Sequence, residues 1–184
     1  MRVIAGEAHG RRLDTPRGLK TRPATARVRS SIFSRLEARA AVAGARVLDI
    51  FAGSGSLGME ALSRGAATAI FVDSSRTAVI SMDRNLRALG FAARGRIITA
   101  DFREALADLS AAGDQFELIF VDAPFAHDST AEVLAILTGL DLIAQQGLTV
   151  VRQYRRTPAP QAAALECINS ATLGDHRIAI YRRR

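Results

Sequence analysis

Cysteine occurs once in the 184 residues, as Cys167, and tryptophan does not occur. A single thiol excludes an internal disulfide and a cysteine-built zinc cluster. It points to the reducing cytoplasm as the compartment. Cys167 reads as a small core residue rather than a nucleophile. No apolar run approaches the roughly 18 residues that a membrane helix needs. The opening Met1-Arg2-Val3-Ile4-Ala5-Gly6-Glu7 lacks the apolar stretch of a signal peptide. Internal repeats and low-complexity linkers are missing too, and the length suits one domain. Lysine is confined to Lys20, a compositional bias that carries no functional information.

The abundant residue is arginine, and its placement is uneven. Residues 1–46 hold ten Arg and Lys20 against Glu7, Asp14 and Glu37, a local charge of +8 within a total of +7. The remaining 138 residues are therefore close to neutral. A basic arm on a neutral body is the electrostatic footprint of a nucleic-acid partner. Membrane binding is the weaker reading, because no basic amphipathic helix with bulky aromatic anchors is present.

Residues Asp49-Ile50-Phe51-Ala52-Gly53-Ser54-Gly55-Ser56-Leu57-Gly58 follow the apolar Val47-Leu48 and lead into the helix-prone Met59-Glu60-Ala61-Leu62-Ser63. Strand, glycine loop and helix in that order outline a nucleotide-cofactor site. Glycine lets the loop turn and lets a ligand approach the backbone. The helix then presents free N–H groups and its positive dipole end. Asp73 ends the next apolar run, about 20 residues on, where an acid grips ribose hydroxyls. The glycine pattern also fits nicotinamide enzymes. Asp49 tilts the choice: its carboxylate would face a pyrophosphate badly and suits a cationic ligand such as S-adenosylmethionine.

From residue 45 the chain alternates. Apolar runs at 46–50, 69–72, 96–99, 116–121 and 147–151 predict buried strands, with helices over 56–64, 75–89, 103–111 and 129–138. Such alternation implies a parallel sheet with helices on both faces. The segment 177–181 predicts a last, antiparallel strand, preceded by a weaker one at 163–169. Before the sheet, residues 2–6 and 11–15 predict a β-hairpin. A helix starting near Ala24 or Thr25 follows, with Val28, Ile32, Phe33 and Leu36 on its apolar face. Arg27 projects away from that face, and Arg29 is expected at its edge, lining a cleft.

Ligands of open parallel sheets sit outside the carboxyl ends of the strands. An acid stands at each of four such ends: Asp49, Asp73, Asp101 and Asp122. The fourth strand ends in Asp122-Ala123-Pro124-Phe125. An exocyclic amino group of a base donates two hydrogen bonds, which Asp122 and the Ala123 carbonyl could accept while Phe125 stacks on the ring. Stacking of this kind is worth about 1–3 kcal/mol per base. Two acceptors drawing the hydrogens out of plane would free the nitrogen lone pair for attack on a sulfonium methyl, without a metal. Asp122 could then take the departing proton.

At this point the chain resembles a family. Thr21-Arg22-Pro23-Ala24-Thr25-Ala26-Arg27-Val28-Arg29, with Ile32-Phe33, is similar to the N-terminal signature of the RsmD-type 16S rRNA guanine-N2 methyltransferases. The 47–58 block and Glu60-Ala61-Leu62-Ser63-Arg64-Gly65-Ala66 resemble its cofactor motif, and Asn85, Asp101, Gly174-Asp175 and Ile180-Tyr181 fit as well. The resemblance implies an α/β, Rossmann-like class I sheet over residues 43–184, mostly parallel with an antiparallel last strand. Residues 1–42 are then a small basic extension, hairpin plus helix, for RNA binding. It implies S-adenosylmethionine as donor and 16S rRNA of the small ribosomal subunit, or an assembly intermediate, as partner. A cytoplasmic monomer without metal or membrane association is expected. Asp49, Phe51, Gly53, Gly55, Asp73, Asp101 and Phe102 are the implied cofactor residues. Asp122, Ala123, Pro124 and Phe125 form the implied amino-group site. Arg11, Arg12, Lys20, Arg22, Arg27 and Arg29 are the candidate RNA contacts.

Three positions depart from the family pattern. Asp-Pro-Pro-Tyr is replaced by Asp122-Ala123-Pro124-Phe125, the common ribose Glu is Asp73, and a frequent Glu after the fifth strand is replaced within Val150-Val151-Arg152-Gln153. The first change leaves other readings open: an adenine N6 as acceptor, or a non-catalytic assembly factor on a vestigial cofactor fold. Nucleoside analysis separates the first from guanine N2, and cofactor binding without turnover would mark the second. A nicotinamide dehydrogenase fits least, since no substrate domain follows.

Overall fold

The computed structural model describes residues 1–16, 24–124, 129–160 and 162–184. Its strands are β1 (Arg46–Ile50), β2 (Thr68–Val72), β3 (Gly95–Ile98), β4 (Phe116–Val121), β5 (Ile143–Tyr154), β6 (Leu165–Leu173) and β7 (His176–Arg183). Its helices are α1 (Ala26–Glu37), α2 (Ser56–Ser63), α3 (Arg76–Leu89), α4 (Phe102–Ala111) and α5 (Thr130–Gly139). The strands form one sheet in the order β3-β2-β1-β4-β5-β7-β6. Neighbours from β3 to β5 are parallel, and β7 runs antiparallel to both β5 and β6. The expected Rossmann-like sheet is therefore present. The chain winds outward from β1 to β3 and then crosses back to β4, so the topological switch point lies between β1 and β4.

Strand residues alternate between two apolar layers, as the period of two requires. Val47, Phe71, Leu118, Phe120 and Val150 face α1, α2 and α3. Leu48, Ile50, Val72, Ile119, Val121 and Val151 face α4 and α5. Helix starts follow local chemistry: Thr25, Ser75 and Asp101 cap α1, α3 and α4 by accepting from backbone N–H groups one turn in. None of the described helices is long and apolar enough to cross a membrane.

The N-terminal hairpin is reduced to a single antiparallel bridge, Arg2↔Arg12. Its stability comes from docking. Buried Glu60 of α2 accepts from the N–H of Ile4 (2.8 Å) and Ala5 (3.0 Å), and Ser63 Oγ accepts from Ala8 N–H at 3.0 Å. Val3, Ala8 and Leu13 join Leu36 and Leu62 in the same apolar layer.

Two expectations change. Cys167 is exposed on β6, not in the core, because β6 is an edge strand whose outer residues meet solvent. The closing β6–β7 pair is longer than the apolar pattern suggests, since an edge strand needs only one buried row of side chains.

Candidate active site at the carboxyl edge of the sheet

Asp49, near the end of β1, is 1% exposed, and its Oδ2 accepts from Gly58 N–H in the first turn of α2 at 2.9 Å. The intervening loop turns through positive φ at Phe51 (59°), Gly53 (56°) and Gly55 (72°). A Cβ on Gly53 would meet only the Phe51 carbonyl oxygen, at 4.0 Å, so the backbone there is open to a ligand. Gly58 has the opposite reason for lacking a side chain. A Cβ there would lie 2.4 Å from the Phe71 ring, so this glycine sets how closely α2 packs on β2.

Asp73, just after β2, fastens the loop. Its Oδ2 accepts from Gly53 N–H and its Oδ1 from Ser75 N–H, both at 2.8 Å. A carboxylate has about four acceptor positions, which leaves capacity for ribose hydroxyls. Asp101 is exposed and caps α4, accepting from Arg103 N–H at 3.0 Å. Next to it the Phe102 ring lies against Phe51, with centroids 5.2 Å apart and planes at 58°. The Arg103 guanidinium lies over the Phe102 ring, 4.4 Å from its centroid, and pairs with Asp101 at 3.2 Å.

Asp49 and Asp122 stand on the two strands that flank the switch point. Burial first, and then the charges of Asp122 and Asp73, push the Asp49 carboxyl well above its ordinary range; the Gly58 hydrogen bond opposes them. Burial also raises the Asp122 carboxyl, against the pull of Arg152 and His176. Carboxylates crowded in this way favour a positively charged ligand, which would relieve their mutual repulsion. The open backbone at Gly53 and the buried Asp49 carboxyl, whose ionised form a cation would favour, fit S-adenosylmethionine and its sulfonium.

Ala123 is buried and Pro124 half-buried behind Asp122. Phe125 lies outside the described residues, as do Lys20 and Arg22. Arg11, Arg12 and Arg27 are exposed, and Arg11 donates to the Ala88 carbonyl at the end of α3. Arg29 is a correction. It is 1% exposed, and its guanidinium donates to the carbonyls of Ala24 (3.0 Å) and Arg2 (2.5 Å). At about 100° per residue, Phe33 extends the buried arc past Arg29, so this side chain lies inside the apolar face. Its role is to hold the hairpin against α1.

Three residues matter more than their sequence context suggests. Glu60 anchors the hairpin. Asn85 donates to the Ser54 carbonyl in the glycine loop and to the Asp14 carbonyl, both at 3.0 Å, and accepts from Asp14 N–H at 2.7 Å. It thereby ties the basic arm to the cofactor loop. Arg152 grips Asp122 with two hydrogen bonds. Its signs in the sequence were a charge directly after the apolar 147–151 run and the departure from the family pattern there.

The doubly wound sheet, its glycine loop at the switch point and its acid-lined edge define a class I, S-adenosylmethionine-dependent methyltransferase. The family model described as conserved hypothetical protein 95 matches residues 1–182, and the chain belongs to that family, the RsmD-type methyltransferases. It is 33% identical over 164 residues to "Ribosomal RNA small subunit methyltransferase D" of Escherichia coli (strain K12), covering 89% of this chain and 80% of that protein. It is 34% identical over 185 residues to YlbH of Bacillus subtilis (strain 168), covering 100% of each. Among solved structures, yhhF of Escherichia coli matches with a TM-score of 0.86 at 32% identity, covering 100% of this chain and 98% of that one.

Proposed function

We propose that the chain methylates the exocyclic N2 of a guanine in 16S rRNA, presented by the small ribosomal subunit or an assembly intermediate. The observation that carries this reading is the electrostatic coupling of Asp49 to Asp122 at the switch point, in a chain 33% identical to a small-subunit rRNA methyltransferase over 89% of its length. When bound, S-adenosylmethionine supplies a methyl group that leaves the sulfonium sulfur as the amine nitrogen takes it up. Asp49, the Gly53 backbone and Asp73 hold the donor, and Phe51, Phe102 and Asp101 receive its adenine. Asp122 and the Ala123 carbonyl accept the two amine hydrogens, and Phe125 stacks on the base. Asp122 then accepts the proton, a role that its raised carboxyl favours. Positioning supplies most of the catalysis, worth about 7–11 kcal/mol in the best intramolecular models.

Residues 1–42 act as the RNA-binding extension. The exposed Arg11, Arg12 and Arg27 meet phosphates, together with Lys20 and Arg22. The Asn85 link supports this placement, because it sets Asp14 beside the glycine loop. On this reading the chain works in the cytoplasm as a monomer. The test is incubation with methyl-labelled S-adenosylmethionine and small subunits that lack the modification, followed by nucleoside analysis of the rRNA. Label in N2-methylguanosine is expected. Label in N6-methyladenosine would move the acceptor to adenine, and donor binding without label in any ribosomal particle would favour an assembly factor.

A further inference from the structure

Parallel pairing of β4 with β5 sets Val121 opposite Val151. The next position on each strand therefore brings Asp122 and Arg152 side by side at the carboxyl edge. Arg152 Nε donates to Asp122 Oδ1 at 2.7 Å and its Nη2 donates to Oδ2 at 2.9 Å. The arginine side chain is 4% exposed and the aspartate 15%. This is the two-pronged guanidinium–carboxylate fork, the geometry that fixes both the position and the plane of a carboxylate. His176 of β7 also favours the ionised Asp122, and the Asp122 charge in turn raises the carboxyl of Asp49 on β1.

We propose that Arg152 is a positioning residue for methyl transfer, holding both oxygens of Asp122 in one plane at the switch point so that their remaining lone pairs meet the acceptor amine. The proposal rests on the reading of Asp122 given above. The role of Arg152 runs through the carboxylate it grips. An unclamped aspartate could rotate about its side-chain bonds. Without the neighbouring cation, burial would also favour its neutral form, which has lost acceptor capacity and cannot take the proton.

The test compares the wild type with Arg152→Gln, Arg152→Lys and Arg152→Met, using two readouts. The first is carbon-13 NMR titration of the Asp122 carboxyl, assigned with Asp122→Asn. Removing the cation in R152Q or R152M should move the midpoint to higher pH, whereas R152K should keep it near that of the wild type. The second is single-turnover methylation of small-subunit rRNA. R152Q should lower the rate about a hundredfold, the scale of a 1 Å misplacement, with donor affinity unchanged. The acidic limb of its pH–rate profile should move to higher pH, with partial recovery in R152K. An unmoved NMR midpoint, or a loss confined to KM, would overturn the proposal. Should the wild type fail to methylate small subunits, the substrate reading falls and the NMR arm still decides the clamp. If R152Q does not fold, R152K decides: its rate should fall at unchanged melting temperature, and an unaltered rate rejects the role.

Discussion

At the level of single residues, buried charge dominates this protein. Removing one member of the Asp122–Arg152 pair leaves the other uncompensated, which typically costs about 3–5 kcal/mol. Asp122→Ala should therefore destabilise the fold as well as abolish transfer. Adding Arg152→Met should restore most of the stability and none of the activity, and donor affinity measured by calorimetry should survive in the double variant. Recovery of transfer in that variant would remove Asp122 from the reaction. Asp49 makes a different prediction. Its folded-state pKa is raised, so the stability it contributes is present below the unfolded value of about 3.9 and lost as pH climbs toward the folded value. Asp49→Asn keeps an acceptor for Gly58 N–H and removes the charge. It should raise the melting temperature of the donor-free protein by a few degrees at neutral pH, on the scale of roughly 2–4 °C per kcal/mol. The gain should vanish in acid, and donor binding should weaken. Thermal melts across pH 4–8 measure the first effect. A gain independent of pH would assign the stabilisation to something other than this charge.

Among the elements, α2 is the part on which the site depends. Its first turn receives Asp49, its flank receives the hairpin through Glu60 and Ser63, and its packing distance from β2 is set at Gly58. Gly58→Ala places a methyl group within contact distance of Phe71, an overpacking that costs about 1–3 kcal/mol. The helix would shift outward and carry the Gly53–Gly55 turn with it, so donor affinity should fall together with stability. Phe71→Leu in the same chain should recover part of both, read by melting temperature and by donor titration. An unchanged donor affinity in Gly58→Ala would show that the loop tolerates movement of the helix.

For the whole molecule, the relevant property is the separation of charge from chemistry. The acids gather at the switch point, while the net positive charge belongs to residues 1–46. Replacing Arg11, Arg12 and Arg27 with Gln should weaken RNA binding and flatten its salt dependence, by up to about 0.7 in slope per lost phosphate contact on single strands. Arg29→Gln should instead lower the melting temperature and leave the salt slope in place, since that guanidinium bonds to backbone carbonyls. Filter binding of rRNA fragments across a salt series tests both. Equal slopes in the triple variant and the wild type would put the RNA surface elsewhere.

What is local was legible in the sequence. The alternation of strands and helices, the glycine loop after β1 and the acid at each strand end are all written in contiguous stretches, where spacing and residue type suffice. The family resemblance extended that reading to rRNA as the class of substrate. What the sequence left undecided are relations between residues distant along the chain. Arg152 and Asp122 are 30 positions apart, and they meet only because β4 and β5 pair in parallel in one register. Asn85 and Asp14 are 71 positions apart, and their bond exists only because the hairpin docks on the loop. Arg29 was expected at the edge of the apolar face, lining a cleft, but the hairpin closes over it, and Cys167 looked buried until β6 became the edge of the sheet. Burial and electrostatic partnership depend on which elements become neighbours, and that is decided by the packing of the whole sheet rather than by any one segment of it.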